Sequence, residues 1–291
     1  MPIPIIFIHK DIHKRDNSYL NFSLHQAHIL NENNPIFLIT DSFKKKKSFV
    51  NYINLHEYDE YANEFGKLYK HLSGNDFTHE LFCFQRWFII KKFIEQNDIN
   101  DFLYLDSDIL LFCNVETEFK KYSDFDFTIC NKIGPQYSYF SSKEKLFKFC
   151  EFVEQLYTNQ TYFKRLENKY AITAANKLNG GVCDMTAFYE YQYYHLGKVK
   201  DLSVIENNAV FDDNINVSDG FEMNSLSIKN VVIKNREAFV KQISSGKLIR
   251  FKALHFQGGG KKYMYKFYLG NNLILQRFIA WLKVIKYTIH K

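Results

Sequence analysis

Short apolar runs separated by longer amphipathic stretches set the first half of the chain. Residues 3–9 (IPIIFIH) and 35–41 (PIFLITD) are β-branched and aromatic runs of the length of a strand buried on both faces. An amphipathic segment over residues 19–30 lies between them, and the spacing predicts a βαβ unit. Thr78 is placed to cap a long helix running through ELFCFQRWFIIKKFIEQ to Gln96. After the polar turn NDIND a third strand is expected over residues 102–106, and a fourth over residues 125–130. Strands alternating with helices predict a mostly parallel sheet flanked by helices, with ligands beyond the carboxyl ends of the strands. The second half is less regular. An amphipathic stretch over residues 142–157 is followed by KLNGGVCDMTAF and then by an Asn/Asp-rich region reaching Asn235. With no Pro/Gly/Ser linker and no internal repeat, residues 1–270 read as one domain, with halves of about residues 1–130 and 131–270.

Composition narrows the class. In 291 residues, 46% hydrophobic and 18% aromatic against 24% charged excludes a disordered chain. The formal charge of +6 is modest and dispersed, which argues against nucleic acid as the main partner. Cys83, Cys113, Cys130, Cys150 and Cys183 form no CxxC pair and read as reduced thiols. The apolar start is too short for a secretory signal, and no run reaches the roughly 18 apolar residues that span a bilayer. The expectation is a soluble, cytoplasmic chain, at most peripheral to the inner face of a membrane. The sequons at Asn21, Asn159 and Asn216 carry no weight without a secretory route.

The chemistry concentrates in FLYLDSDILLF, residues 102–112, where two carboxylates interrupt an apolar run. Burying two carboxylates together is prohibitive unless a cation or a shared proton compensates them. Residues two apart in extended chain point to one side, so Asp106 and Asp108 can converge on one divalent ion, and all-oxygen ligation suits Mn²⁺ or Mg²⁺. A second pair, Asp124 and Asp126, follows the polar KKYS and reads as a surface strand start.

Strand-LDSD-strand resembles the metal-binding motif of the GT-A-fold, nucleotide-sugar-dependent glycosyltransferases. LHFQGGGKKY adds His255, Gly258 and Lys261 in the HxxGxxK spacing found in glycosyltransferase family 8, although Lys262 and Tyr263 stand where that family continues with Pro-Trp. The resemblance implies a GT-A-like, Rossmann-like fold and a hexosyltransferase with retention, in which residues 1–270 are the catalytic domain, about residues 1–130 its nucleotide-binding half and residues 131–270 its acceptor and sugar half. It implies Asp106, Asp108 and His255 as metal ligands, with Gly258 and Lys261 at the donor diphosphate. It also implies a nucleotide-sugar donor, expected to be UDP-linked, and a glycan or glycolipid acceptor. His9 and Asp41, at the ends of the first two strands, and Ser107, inside the motif, join the expected nucleotide contacts.

Arg86 is the only formal charge between Glu80 and Lys91, on a helix with little exposed face, and needs a buried anion. FQRWF resembles the element that presents a basic residue to the nucleotide-sugar, and a structural ion pair with a carboxylate such as Asp106 is the other reading. NGGVCDMT resembles the sugar-pocket segment, with Gly180 and Gly181 permitting close approach. Asp184 is either a sugar-facing catalytic carboxylate or an N-cap. The Asp212-Asp213-Asn214 cluster reads first as a polar loop. Residues 271–291 place Ile274, Phe278, Trp281, Leu282, Ile285 and Ile289 on one helical stripe. The stripe suits either core packing or a peripheral membrane contact. Two rivals remain: an aspartyl-nucleophile phosphatase, which also uses DxD after an apolar strand, and a non-catalytic nucleotide-sugar-binding protein.

Overall fold

The computed structural model describes residues 2–12, 18–43 and 46–270; the expected helix over residues 271–291 lies outside the described residues. The chain runs β1 (Ile5–His9), α1 (Ser18–Leu30), β2 (Ile36–Thr40), β3 (Asn51–Asn54), α2 (Glu60–Leu68), α3 (Phe77–Gln96), β4 (Phe102–Leu105) and β5 (Ile109–Leu111). It continues through α4 (Val115–Phe119), β6 (Phe127–Ile129), β7 (Tyr137–Phe140), α5 (Lys143–Thr158), α6 (Gln160–Ala175) and α7 (Asp184–Tyr193). Last come β8 (Val199–Asp201), β9 (Ala209–Phe211), β10 (Val232–Lys234), β11 (Glu237–Lys241), β12 (Leu248–His255) and a 3₁₀ stretch over Gly258–Lys266.

Seven strands form the central sheet in the order β3-β2-β1-β4-β7-β6-β8, mostly parallel, with β7 antiparallel to both of its neighbours. The expected βαβ unit is present as β1-α1-β2. Both faces of this sheet are covered, which is why its central strands are apolar without alternation. Ile6, Ile8, Phe102 and Tyr104 pack in one core with Phe84, Trp87 and Phe88 of α3 and Phe149 of α5. Ile5, Phe7, Leu103 and Leu105 pack in another with Leu20, Leu24 and Ala27 of α1. Trp87 is fully buried and meets Tyr104 at 4.8 Å and Phe188 at 5.1 Å between ring centroids. Aromatic pairs of this kind add about 0.5–1.5 kcal/mol each beyond their burial.

The second sheet runs β10-β11-β12-β5 in antiparallel order, with β9 parallel beside β12. It encloses a third core around Leu110, Phe112, Val240, Phe251 and Leu254. The chain passes from the first sheet to the second between β4 and β5.

Two sequence readings are corrected. The cap of α3 is Asp76, whose side chain accepts from the His79 N–H at 2.9 Å; Thr78 lies inside the helix. Asp126 is buried, 4% exposed, accepting from Lys145 Nζ and from the Tyr191 hydroxyl at 2.7 Å. It anchors α5 and α7 to β6 and is no surface strand start. The polar residues before it close a turn, and the strand itself begins at Phe127.

Candidate functional site

Asp106, Ser107 and Asp108 form the corner between the two sheets. They lie in a turn after β4, so their carboxylates converge through the corner and not through the pleat of one continuous strand. The Asp106 N–H donates to the Gln136 carbonyl at 3.2 Å, and the Asp108 carbonyl accepts from Phe256 N–H at 3.0 Å. Because β5 pairs with β12 in a register that sets Ile109 opposite His255, His255 arrives beside Asp108 from the far end of the chain. One ligand atom from each of Asp106, Asp108 and His255 lies within 4.8 Å of the others.

Each group is held by a charge. Arg86 Nη1 donates to Asp106 Oδ1 at 2.9 Å, and the Tyr104 hydroxyl donates to the same oxygen. Arg86 Nε also donates to Asp184 Oδ2 at 3.1 Å, and Trp87 Nε1 donates to that oxygen at 3.0 Å. Lys261 Nζ lies 2.6 Å from Asp108 Oδ2, with His255 Nε2 at 3.6 Å from Oδ1. Burial works against ionising Asp108, but His255 and Lys261 outweigh it and hold the carboxyl well below the usual range. For His255, burial lowers the pKa and Asp108 raises it by more, to about 9. Burial likewise lowers the Lys261 pKa, and Asp108 more than offsets it.

His255 Nδ1 donates to the Asp213 carbonyl at 2.5 Å, an atom that can only accept. That contact assigns the proton to Nδ1 in the neutral ring and directs the Nε2 lone pair to the carboxylates. Two carboxylates and one imidazole in this arrangement fit a Mn²⁺ or Mg²⁺ ion with open positions for water or phosphate.

The remaining expected residues divide. His9 ends β1 with its ring 6.5 Å from that of Tyr19. Burial lowers its pKa, while Asp11 and Asp41 oppose this, and the charges of Lys261 and Asp108 also reach it. Asp41 accepts from Asp11 N–H at 3.1 Å and so ties together the loops after β1 and β2. Ser107 shares a side-chain hydrogen bond with Tyr19, over whose ring Lys261 Nζ stands at 5.2 Å. Gly258, at φ +56°, opens the 3₁₀ stretch that presents Lys261.

Gly181 is required by the chain's own packing, and Gly180 holds a left-handed φ of +90°. Gly180 carbonyl accepts from Gly74 N–H at 2.9 Å, and a Cβ on Gly181 would stand 2.4 Å from the Leu72 carbonyl oxygen. Asp184 is not an N-cap: it is the first residue of α7, capped by Cys183 and Thr186, and its side chain belongs to Arg86 and Trp87. The Arg86 ion pair with Asp106 is present, extended to Asp184. Asp212 is fully buried against Lys229 and is not part of an exposed polar loop. Sequence reading missed Tyr104, Trp87, Tyr19 and Lys229. Tyr104 and Trp87 sit in apolar strings that read as core, and nothing near Lys229 marks it as buried.

No family model matches the chain, and neither does any curated protein sequence. Among solved structures, the apo form of mouse xyloside xylosyltransferase 1 is similar at 10% identity and a TM-score of 0.50, over 74% of this chain and 88% of that one. The apo WbbM bifunctional glycosyltransferase aligns at 9% identity and a TM-score of 0.49, over 96% of this chain and 51% of that one. The galactosyltransferase LgtC, in complex with donor and acceptor sugar analogues, aligns at 11% identity and a TM-score of 0.43, over 90% and 89%. The likeness is one of fold: the chain has the GT-A architecture, with its mostly parallel central sheet and flanking helices. No described helix is long and apolar enough to cross a membrane.

Proposed function

We propose that the chain is a glycosyltransferase that moves a hexose, with retention, from a nucleotide diphosphate sugar, expected to be UDP-linked, to a glycan or glycolipid acceptor. The observation that carries this reading is the convergence of Asp106, Asp108 and His255 at the corner of a GT-A fold, with Lys261 on the same carboxylate. Residues 1–270 act as one catalytic unit in this reading, since β12 and the 3₁₀ stretch return to the corner built by β4.

Asp106, Asp108 and His255 would hold Mn²⁺ or Mg²⁺, which supplies Lewis acidity to a leaving diphosphate. Lys261, beside Asp108, would give a bound diphosphate a point charge as the glycosidic bond breaks. Tyr19 and Ser107 line the same corner at the carboxyl ends of β1 and β4, together with His9, and are placed for the nucleotide. Asp184 pairs with Arg86 beside the corner, where its carboxylate can stabilise positive charge at an anomeric carbon.

The test is hydrolysis of UDP-, GDP- and CMP-sugars with Mn²⁺ and without it. Metal-dependent release of UDP is the expected result. Phosphate release from simple monoesters would replace the reading with a phosphatase, and binding without turnover would replace it with a nucleotide-sugar-binding protein.

A further inference from the structure

The turn at residues 212–215 takes up every hydrogen-bonding group of His255 except Nε2. The His255 N–H donates to Asp212 Oδ2 at 3.1 Å, its carbonyl accepts from Ile215 N–H at 2.9 Å, and its Nδ1 meets the Asp213 carbonyl. The turn is fixed in its turn by Lys229. Lys229 Nζ donates to Asp212 Oδ1 at 2.7 Å, to the Asn214 carbonyl at 2.8 Å and to Asp219 Oδ2 at 3.1 Å. Its main-chain N–H donates to the Ile215 carbonyl at 2.8 Å. The Lys229 side chain is 1% exposed and that of Asp212 0%.

An ammonium has three donors, and all three are spent on Asp212 and Asn214 of the turn and on Asp219 beyond it. Lys229 therefore has none left for a ligand, and its influence runs through Asp212. Buried ion pairs add little net stability against apolar residues of the same volume, because desolvation offsets the attraction. What an apolar pair could not supply is the oxygen that receives the His255 N–H.

We propose that Lys229 is a positioning residue for the metal ligand His255, acting through Asp212 to fix the backbone and ring so that Nε2 faces Asp106 and Asp108. The inference rests on the reading of those three side chains as a divalent-cation site. Groups that orient a ligand in this way are worth about 10–100-fold in metal affinity.

The experiment uses Mn²⁺ alone, titrated into the full chain and followed by the electron paramagnetic resonance of the free ion. The histidine-nitrogen coupling of bound Mn²⁺ is recorded in parallel, and fold and melting temperature are read by circular dichroism. Lys229→Met leaves Asp212 buried and unpaired, so it lowers the melting temperature as well as the affinity. The double variant Lys229→Met with Asp212→Leu removes both charges and separates the two roles. It is expected to melt above Lys229→Met, though below the wild type because the His255 N–H loses its acceptor, and to bind Mn²⁺ at least tenfold more weakly, with the nitrogen coupling reduced. If the double variant binds within twofold of the wild type, the pair is only structural and the inference is overturned; if neither variant folds, the same conclusion holds. Wild-type protein that binds no Mn²⁺ would overturn the metal site itself.

Discussion

Lys261 Nζ donates to Asp108 Oδ2 at 2.6 Å, so the ammonium from the 3₁₀ stretch and the carboxylate from the β4–β5 corner neutralise one another. In the proposed reaction, a cation and a diphosphate arriving together would offer each a better partner. Lys261→Ala is expected to weaken UDP binding in the presence of Mn²⁺ by about 1.5–3 kcal/mol, the range for a hydrogen bond to a charged group. Isothermal titration calorimetry measures it, and an unchanged affinity would remove Lys261 from the diphosphate site.

Arg86 joins Asp106 to Asp184, and its guanidinium is the one cation in contact with Asp184 among the described residues. Arg86→Met is expected to destabilise the fold by about 3–5 kcal/mol, because it leaves a buried carboxylate without its charge partner. Urea unfolding gives the value. A loss below 1 kcal/mol would mean that Asp184 is solvated and the network is not closed.

The His255–Asp108 pair gives the metal-free protein a pH dependence with a definite sign. The folded-state pKa of His255 stands near 9, above the ordinary value of 6.5. Its contribution to stability is therefore fully present below pH 6.5 and lost as pH rises through 9. Unfolding free energies in chelator should fall between those limits for the wild type and fall less for His255→Gln. Parallel curves would contradict the ion pair.

Gly181 lies against the Leu72–Ser73 backbone, where a Cβ would meet the Leu72 carbonyl oxygen at 2.4 Å and Ser73 Cα at 2.6 Å. Gly181→Ala should cost about 1–3 kcal/mol, as overpacking does. A melting temperature equal to that of the wild type would show that this contact yields freely.

These outcomes depend on features that were unequally legible in the sequence. β1, β2 and β4 are buried on both faces, so their apolar runs announced strands directly. Asp106 and Asp108 stood out because carboxylates are costly in such a run, and His255 and Lys261 because of their spacing. β3 was missed because its Asn51 and Asn54 flank only two apolar residues at the sheet edge. α6 was missed because its stripe of Tyr162, Phe163, Leu166 and Tyr170 is mostly aromatic and half-buried, with Leu166 alone fully buried, and polar residues surround it. The antiparallel β7, with Tyr137 and Tyr139 around Ser138, carries too little pattern to be told from a loop. Lys229 could not be found at all: its burial depends on Asp212, Asn214 and Asp219 closing around it, and a lone lysine in SIKNVV looks like any surface charge.

Anomalous scattering from Mn²⁺ in crystals grown with Mn²⁺ and UDP locates the ion relative to Asp106, Asp108 and His255. One strong peak is expected in direct contact with carboxylate oxygens of Asp106 and Asp108 and with His255 Nε2, with the diphosphate on the same ion and Lys261 turned toward it. No peak at the corner, or a peak that His255 does not reach, would contradict the proposed metal site.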